Sequence, residues 1–241
     1  MRTETLKFET PNGATSAFVA RPSDADDGSI REAATIILIH EWWGINDHIR
    51  DIAGRYAKEN FLCVAPDLYR GVTARDPQEA AKLMQALSAE DGLATISGAI
   101  DETKRAYGVR QIGITGFCMG GTFALRAACD MKSLSAAAPF YGDIPDDSVL
   151  AHLQTPTLFI ASARDNWITP EKVEGLKASA RQYDLPVQVI SYDADHAFFN
   201  DTRPEVYNAE AANDAWRRVL AFFRERLCTE DVSHGAAGKI S

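Results

Sequence analysis

The sequence predicts an α/β fold: one domain built on a mostly parallel sheet of eight strands flanked by helices. Short apolar runs alternate along the chain with helix-like segments, which is typical of βαβ units and parallel sheets. The runs are apolar at nearly every position, as expected for strands that are buried on both faces. The 241 residues contain no internal repeat and no linker long enough to divide them.

Two antiparallel strands are expected first. Apolar and polar residues alternate on both sides of a turn at 11–13. Leu6 and Phe8 fall on the strand before this turn, and Ala17 and Val19 fall on the strand after it. Such alternation around a Pro-Asn-Gly turn indicates a hairpin with one buried face.

Six further strands and six helices are expected in alternation, after a polar loop at 22–33. The apolar runs that predict the strands lie at 34–39, 61–65, 111–115, 134–140, 157–161 and 187–191. The helix-like segments lie at 48–58, 77–87, 96–107, 119–129, 170–183 and 205–227. Pro77 and Pro170 suit the first turn of a helix, where the missing N–H needs no partner. The domain should span 1–228, and the small, polar residues 229–241 should form a frayed tail.

The composition fits a soluble globular protein, with 46% hydrophobic and 24% charged residues. The net charge of −9 leaves no basic stripe for a nucleic acid. The first residues lack the apolar core of a secretory signal, and no apolar run approaches the ~18 residues that span a bilayer. Four scattered cysteines form no Cys-x-x-Cys pair. We therefore expect a reduced, cytoplasmic protein without a membrane or nucleic-acid partner. The sequence does not predict an oligomeric state.

Cys118 is the strongest candidate for a reactive group. It lies in a Gly-x-Cys-x-Gly-Gly run, between a strand-like stretch ending at Thr115 and a helix-like segment beginning at Met119. A nucleophile in a tight strand-to-helix turn requires small residues two positions before and after it, and Gly116 and Gly120 supply them. Serine is the usual nucleophile in this turn. A buried, inert cysteine in a glycine-rich turn is the alternative.

A cysteine nucleophile needs a base, and the base needs an acid that orients it. Cys118 follows the fifth predicted strand, Asp165 the seventh and His196 the eighth. Nucleophile, acid and histidine stand in this order in an α/β-hydrolase. All three fall at carboxyl ends of parallel strands, where ligands collect. We therefore predict a Cys118–His196–Asp165 triad on an α/β-hydrolase fold.

The other histidines are weaker candidates for the base. His40 ends the third predicted strand and is expected to support the loop that follows. His48 and His152 lie in helix-like segments and are expected at the surface. His234 lies in the tail. None of these four occupies the position of a general base in the predicted fold.

An oxyanion hole needs one N–H from the residue after the nucleophile and one from the loop after the third strand. We expect the backbone N–H groups of Met119 and Trp42 in these roles. No metal motif accompanies them, because His40 and Glu41 do not extend to His-Glu-x-x-His: Gly44 occupies the last position. The sequence therefore predicts no metal and no cofactor.

The chain resembles the dienelactone hydrolases from about residue 5 to 227. The segments that carry the resemblance are 40–46, 65–69, 116–121, 141–142, Asp165 and 196–198. That family uses a Cys-Asp-His triad on an α/β-hydrolase fold to open lactones. By resemblance, Cys118, Asp165 and His196 take these roles, and Glu41 contacts the resting thiol. A salt bridge at the start of its loop is the alternative for Glu41.

The chain departs from the family's best-studied pattern where those members hold a substrate carboxylate. They use an Arg and a Tyr from the helix after the fourth strand, and an Arg four residues past the catalytic histidine. Here Ala81 lies in that helix and Asn200 stands four past His196. Arg203 and Lys82 are the candidates to replace the missing groups. The expected substrate-binding residues are Trp43, Tyr141, Asn200 and Arg203.

The predicted function is hydrolysis of a small-molecule ester or lactone through a thioester acyl-enzyme. Because a thiolate leaves readily from tetrahedral intermediates, reactive esters, enol-lactones and thioesters are favoured over amides. Two other classes stay open. One is a binding or sensor module with a vestigial site, and the other is a redox-sensing or peroxidatic thiol. The second would lack a resolving cysteine near Cys118 in sequence.

Overall fold

Eight strands form one sheet in the structure, which is a computed structural model and describes residues 1–23 and 34–228. The strands are β1 (Arg2–Thr10), β2 (Gly13–Arg21), β3 (Thr35–Ile39), β4 (Leu62–Pro66), β5 (Ile112–Phe117), β6 (Ala136–Phe140), β7 (Thr157–Arg164) and β8 (Val187–Asp195). The helices are α1 (Asp47–Lys58), α2 (Pro77–Ala86), α3 (Ala89–Tyr107), α4 (Met119–Asp130), α5 (Asp147–Leu150), α6 (Pro170–Gln182) and α7 (Ala209–Leu227). The predicted tail, and all but the first two residues of the predicted polar loop, lie outside the described residues.

The strand order is β1-β2-β4-β3-β5-β6-β7-β8, and helices cover both faces. β1 and β2 form the predicted antiparallel hairpin, and β2 also pairs antiparallel with β4. All remaining pairs are parallel. The predicted fold class is therefore confirmed: this is an α/β-hydrolase sheet in a single domain.

Burial on both faces accounts for the continuous apolar runs. All five residues of β3 are buried, and their side chains alternate between two cores. Ile37 and Ile39 pack into the core that contains residues of α3, α4 and α6. Ile36 and Leu38 pack into the opposite core with α1 and α7. A strand between two helical layers has no polar face, so its sequence does not alternate.

The last strand differs from this expectation. β8 is an edge strand with partly or fully exposed residues at most positions, not a strand buried on both faces. Its run at 187–191 contains Gln188 and Ser191, both exposed. A strand paired on one side only packs less of its surface, so polar side chains are tolerated there.

Two helices begin at different residues than the sequence predicts. α3 begins seven residues before Ile96, because the Ser88 side chain accepts a hydrogen bond from the Asp91 N–H and caps a polar first turn. α7 begins after 205, because Asn208 caps it by accepting from the Ala211 N–H at 3.1 Å. The one-turn helix α5 was not predicted. No helix in the described ranges has the length and apolar character to cross a membrane.

Candidate active site

Five neighbouring strands end at one edge of the sheet, and a candidate functional residue follows each of them. The strands are β3, β5, β6, β7 and β8. The residues just beyond them are Glu41, Cys118, Tyr141, Asp165 and His196. Parallel strands place their carboxyl ends side by side, so the topology alone gathers these side chains from distant parts of the chain.

Cys118 occupies a strained turn between β5 and α4. Its backbone angles are φ 55° and ψ −118°, a region that residues with a side chain rarely adopt. The turn is held on both sides, because the Cys118 N–H donates to the Phe140 carbonyl at 3.2 Å and the Cys118 carbonyl accepts from the Thr122 N–H at 3.1 Å. Backbone strain of this kind persists only where surrounding structure enforces it, and it is concentrated at functional sites.

The glycines around Cys118 are required by close backbone approach. A Cβ on Gly116 would overlap the carbonyl of Gly120, and a Cβ on Gly120 would overlap the carbonyl oxygen of Ile39. A Cβ on Gly121 would overlap the carbonyl of Phe140. These contacts bring the first turn of α4 tightly against the ends of β3 and β6, which is the spatial arrangement that the Gly-x-Cys-x-Gly-Gly run predicts.

His196 is partly exposed and pairs with Asp165, which is buried. His196 Nδ1 lies 2.6 Å from Asp165 Oδ2, and Nε2 of His196 is buried without a hydrogen-bond partner among the described residues. Asp165 Oδ1 accepts from the N–H groups of Trp167 at 2.8 Å and Ile168 at 2.9 Å. Burial acts to raise the pKa of Asp165, but these hydrogen bonds and the charge of His196 outweigh it, so the pKa is lowered. Asp165 is therefore an ionised acceptor that fixes the ring of His196.

Glu41 is buried and held by a neutral partner. Its Oε2 accepts a hydrogen bond from the Asn200 side-chain amide at 2.8 Å, and only 2% of Glu41 is exposed. The Asn200 carbonyl oxygen accepts in turn from the N–H and the hydroxyl of Thr202, at 3.0 and 2.6 Å. Those two bonds orient the amide so that its NH₂ faces Glu41. Burial raises the pKa of Glu41 to about 7, opposed by the Asn200 hydrogen bond.

The Cys118 thiol is protonated at neutral pH. Burial raises its pKa to about 12, and the charge of Glu41 adds to this effect. The backbone N–H of Met119, at the first position of α4, acts against both by donating toward the sulfur. The sulfur thus lies between a carboxylate that disfavours its charged form and an N–H that favours it.

The two predicted oxyanion donors differ in their contacts. The N–H of Met119 donates toward the Cys118 sulfur. The N–H of Trp42 makes no hydrogen bond to another described backbone group. Tyr69, which was not a predicted site residue, donates a hydrogen bond from its hydroxyl to the Met119 sulfur at 3.1 Å. It lies in the loop after β4 and packs against the ring of His40.

Two aromatic rings flank His196. The ring of Tyr141 lies 5.0 Å from that of His196, and the ring of Trp167 lies 5.6 Å from it. Both aromatic residues border a shallow cleft of about 10 Å³ that reaches Cys118. Trp167 was not among the predicted site residues. Its position two residues past Asp165, in a loop after a strand, is the one sequence signal that could have indicated it.

The remaining predicted substrate-binding residues are less closely tied to the cleft. Trp43 packs edge-on against Trp42, with ring centroids 5.0 Å apart. Arg203 pairs with Glu205 at 2.9 Å. Its charge opposes the effect of burial, which raises the pKa of Glu41 and of Cys118. Asn200 binds Glu41 rather than facing open space.

Two histidine predictions have different outcomes. His48 was expected at the surface, but it is buried on α1 with Nδ1 3.3 Å from Asp201, so that prediction is wrong. The residue shares a helix face with Ile52, one turn later, and this face packs on the sheet. His40 supports its loop as expected: Nδ1 lies 2.6 Å from the Glu41 carbonyl, and Nε2 accepts from the Leu68 N–H.

The described residues contain no group of three or more His, Cys, Asp or Glu side chains arranged to hold a metal ion. A wider groove of about 490 Å³ lies at the other end of α4, between Cys129 and Pro156. It is remote from the carboxyl ends of the strands and from the Asp165–His196 pair. The smaller cleft, which reaches Cys118, is therefore the candidate site.

Comparison with known proteins agrees with this architecture. The model of the dienelactone hydrolase family matches residues 15–227. "Protein usf" of Aquifex pyrophilus is 32% identical over 234 residues, covering 92% of this chain and 98% of that protein. An Escherichia coli K12 protein named "Putative carboxymethylenebutenolidase" is 32% identical over 228 residues, covering 87% of this chain and 82% of its own.

A solved structure is similar along the whole fold. The crystal structure titled "Putative Dienelactone Hydrolase" from Klebsiella pneumoniae superposes with a TM-score of 0.82 at 28% identity. It covers 93% of this chain and all of its own. The family match, the sequence relatives and the fold give the same assignment, and the resemblance seen in the sequence is confirmed. The chain belongs to the dienelactone hydrolase family, a family of hydrolases with the α/β-hydrolase fold.

Proposed function

We propose that this hydrolase cleaves activated esters, enol-lactones or thioesters of small molecules through a thioester on Cys118. The observation that carries the proposal is the state of His196. Asp165 holds one ring nitrogen, and the other is buried with no hydrogen-bond partner among the described residues, at the strand edge where Cys118 lies in a strained turn. A base with one nitrogen fixed and one unoccupied is poised to accept a proton.

The first step is attack by sulfur. Because the resting Cys118 is a thiol, His196 Nε2 takes its proton as the sulfur bonds to the substrate carbonyl carbon. Negative charge develops on the carbonyl oxygen, and the N–H groups of Met119 and Trp42 stabilise it by about 3–4 kcal/mol per donor. The alcohol, enol or thiol of the substrate then leaves with the proton from His196, and a thioester remains on Cys118.

The second step is hydrolysis of the thioester. Water attacks the acyl carbon and gives a proton to His196 Nε2, and the thiolate leaves as the acid is released. The proton then returns from His196 to sulfur. Asp165 stays ionised throughout, because its lowered pKa favours the carboxylate and its charge stabilises the imidazolium.

Glu41 acts on the resting thiol in this proposal. Its carboxylate raises the pKa of Cys118 and so disfavours a reactive thiolate before substrate binds. Asn200 keeps Glu41 in that place. A thiol protected in this way is a poor target for peroxide, which argues against the redox-sensing alternative.

A panel assay tests the proposed function and separates it from its alternatives. Purified protein is offered aryl esters, enol-lactones, thioesters and hydrogen peroxide, with the Cys118→Ala variant in parallel. We expect turnover of the reactive acyl compounds by the wild type, none by the variant, and negligible peroxide consumption. Peroxide consumption without ester turnover would support a redox thiol, and the absence of both would support a binding module.

A further inference from the structure

We propose that Trp167 is the specificity-determining residue of this site and binds a neutral, planar aromatic group of the substrate. The inference deepens the proposed function, on which it rests for the position of the reacting carbon. It comes from the cleft beside Cys118, whose walls differ in chemistry from those expected for a charged substrate.

The side chain of Trp167 is exposed, so much of its indole ring is not stabilised by packing in the hydrophobic core. Its exposed fraction is 46%, whereas Tyr141, whose ring also lies near His196, is buried, with 1% exposed. Large exposed apolar side chains are few among the described residues, and Trp167 is the one of them that borders the Cys118 cleft. An indole face left open at a reactive centre is a ready surface for a second ring.

The backbone holds Trp167 in a fixed place. Its N–H donates to Asp165 Oδ1 at 2.8 Å, and the next residue, Ile168, donates to the same oxygen and is buried. One carboxylate thus orients His196 with one oxygen and positions Trp167 with the other. A ring bound on Trp167 therefore has a defined position relative to His196 and the sulfur. Pre-organisation of this kind reduces the cost of ordering a binding surface.

The other walls of the cleft are neutral or already paired. Its described lining consists of Cys118, Met119, Thr122, Tyr141, Asp143, Trp167 and Ile168. Asp143 is the charged member, and Lys172 neutralises it at 2.7 Å. Thr122 accepts a hydrogen bond from the Asp143 N–H. No unpaired cation faces the cleft from these walls, so a carboxylate has no partner there, whereas an uncharged ring has an indole.

The cleft is too small to enclose a substrate ring. Its volume of about 10 Å³ is far below the roughly 300–1,000 Å³ of sites for drug-sized ligands. A bound ring therefore lies on the exposed indole face of Trp167 at the mouth of the cleft rather than inside it. We expect the ring on the leaving side of the ester or thioester, or as part of an enol-lactone.

A competing explanation is that Trp167 only shields the Asp165–His196 pair from water. If Trp167 were only a shield, replacing it would change the kinetics of every substrate equally and would alter the pH dependence of kcat. If Trp167 were a binding surface, replacing it would raise KM for aromatic substrates and leave kcat unchanged. The two roles therefore predict different kinetic results for the same substitution.

The test compares benzyl thioacetate with cyclohexylmethyl thioacetate, which share the acyl group and differ in the aromatic ring. Wild type, Trp167→Ala, Trp167→Leu, Trp167→Phe and the control Tyr183→Ala are assayed. Tyr183 is also an exposed aromatic residue, but it caps α6 away from the cleft. Because each substrate is compared between variants, its intrinsic reactivity cancels.

We expect Trp167→Ala and Trp167→Leu to raise KM for the benzyl compound about two- to tenfold, the usual range for an aromatic pair. KM for the cyclohexylmethyl compound should change less than twofold, Trp167→Phe should restore most of the difference, and Tyr183→Ala should change neither. Equal losses on both substrates, or a changed pH profile with no shift in relative KM, would overturn the proposal.

A binding measurement keeps this inference separate from the proposed function. Cys118→Ala, which cannot form the thioester, is titrated with both compounds, alone and combined with Trp167→Ala. Tighter binding of the benzyl compound that disappears with Trp167 supports the inference even if the wild type proves to hydrolyse neither. Equal affinities in both backgrounds refute it even if hydrolysis is observed.

Discussion

Cys118 and Cys63 are both buried cysteines of the same sheet, and burial raises the pKa of each thiol. Cys63 lies inside β4, where its backbone pairs with β2 and β3. Cys118 lies one residue past β5, at φ 55°. The difference between them is therefore not burial. It is whether a strand continues through the residue or ends at it.

The end of the strand gives Cys118 polar neighbours. Met119 N–H donates toward its sulfur, and the charge of Glu41 acts on it. For Cys63 desolvation by burial raises the pKa, and most of its neighbours belong to an apolar core. Two thiols with similar burial thus have different prospects for chemistry, because charged and N–H groups gather around the thiol at the strand end.

The largest expected effect separates the two cysteines directly. Cys118→Ala should reduce kcat/KM for an activated ester by ~10⁴-fold or more, because the proposed acyl-enzyme forms on the Cys118 sulfur. Cys63→Ala should leave kcat/KM within threefold and lower stability by roughly 1–2 kcal/mol through lost packing. Kinetics and urea unfolding measure both variants. Full activity in Cys118→Ala would remove the distinction between the two regions.

His196→Ala should lower kcat by at least ~10²-fold, the usual contribution of a general base. His152→Ala is the matched control, because His152 is exposed in a turn beyond α5, and it should have no effect. Steady-state assays at several pH values give the comparison. If His40→Ala abolished turnover in a stable protein while His196→Ala was mild, the base would be His40.

Gly116→Ala should destabilise the elbow by about 1–3 kcal/mol, since its Cβ would overlap the Gly120 carbonyl. Gly175 in α6 is the control: a Cβ there meets nothing within 4 Å, and alanine should stabilise that helix by up to ~1 kcal/mol. Urea denaturation gives both values. A Gly116→Ala protein as stable as the wild type would mean that the turn at Cys118 is not held as tightly as described.

Glu41→Gln should speed alkylation of Cys118 by iodoacetamide roughly three- to tenfold at pH 8. Burial raises the pKa of Glu41 to about 7, so the carboxylate is charged at pH 8 and disfavours the thiolate. At pH 6 Glu41 is mostly protonated and the substitution should matter little. An alkylation rate that is unchanged across this range would show that Glu41 does not act on the sulfur.

The smallest effect concerns a substrate carboxylate. We expect an acidic lactone and its methyl ester to differ less than tenfold in kcat/KM, because Ala81 and Asn200 replace charged residues of the family's pattern and Asn200 is committed to Glu41. A charge-assisted hydrogen bond contributes about 1.5–3 kcal/mol, so two of them would give a far larger preference. A thousandfold preference for the acid would indicate a replacement cation, and Arg203→Ala and Lys82→Ala would identify it.

The sequence predicted this fold well where one local signal sufficed. Continuous apolar runs marked β3 and β5, and the glycines around Cys118 marked the elbow. Its errors occurred where the structure depends on distant partners. β8 has an apolar run, but only the strand order makes it an edge. Helix α3 starts early because Ser88 caps it, although the apolar spacing becomes regular only later.

At the candidate site, too, local signals could be predicted from the sequence and long-range contacts could not. Cys118, Asp165 and His196 follow from strand ends and chain order, which are visible in the sequence. The hold of Asn200 on Glu41 joins residues 159 positions apart and cannot be seen there. Trp167 was missed for a similar reason, because its importance comes from the ring of His196 lying 5.6 Å away. Pairings across the sheet are set by the whole fold.

The most direct test of the central claim is to trap the acyl-enzyme. The protein is mixed with p-nitrophenyl acetate, quenched in acid during turnover, digested, and analysed by mass spectrometry. We expect one acetyl group, released by hydroxylamine, on the peptide that contains Cys118, none on the peptide that contains Cys63, and none in Cys118→Ala. An acetyl group on any other residue, or one that persists in Cys118→Ala, would contradict the account.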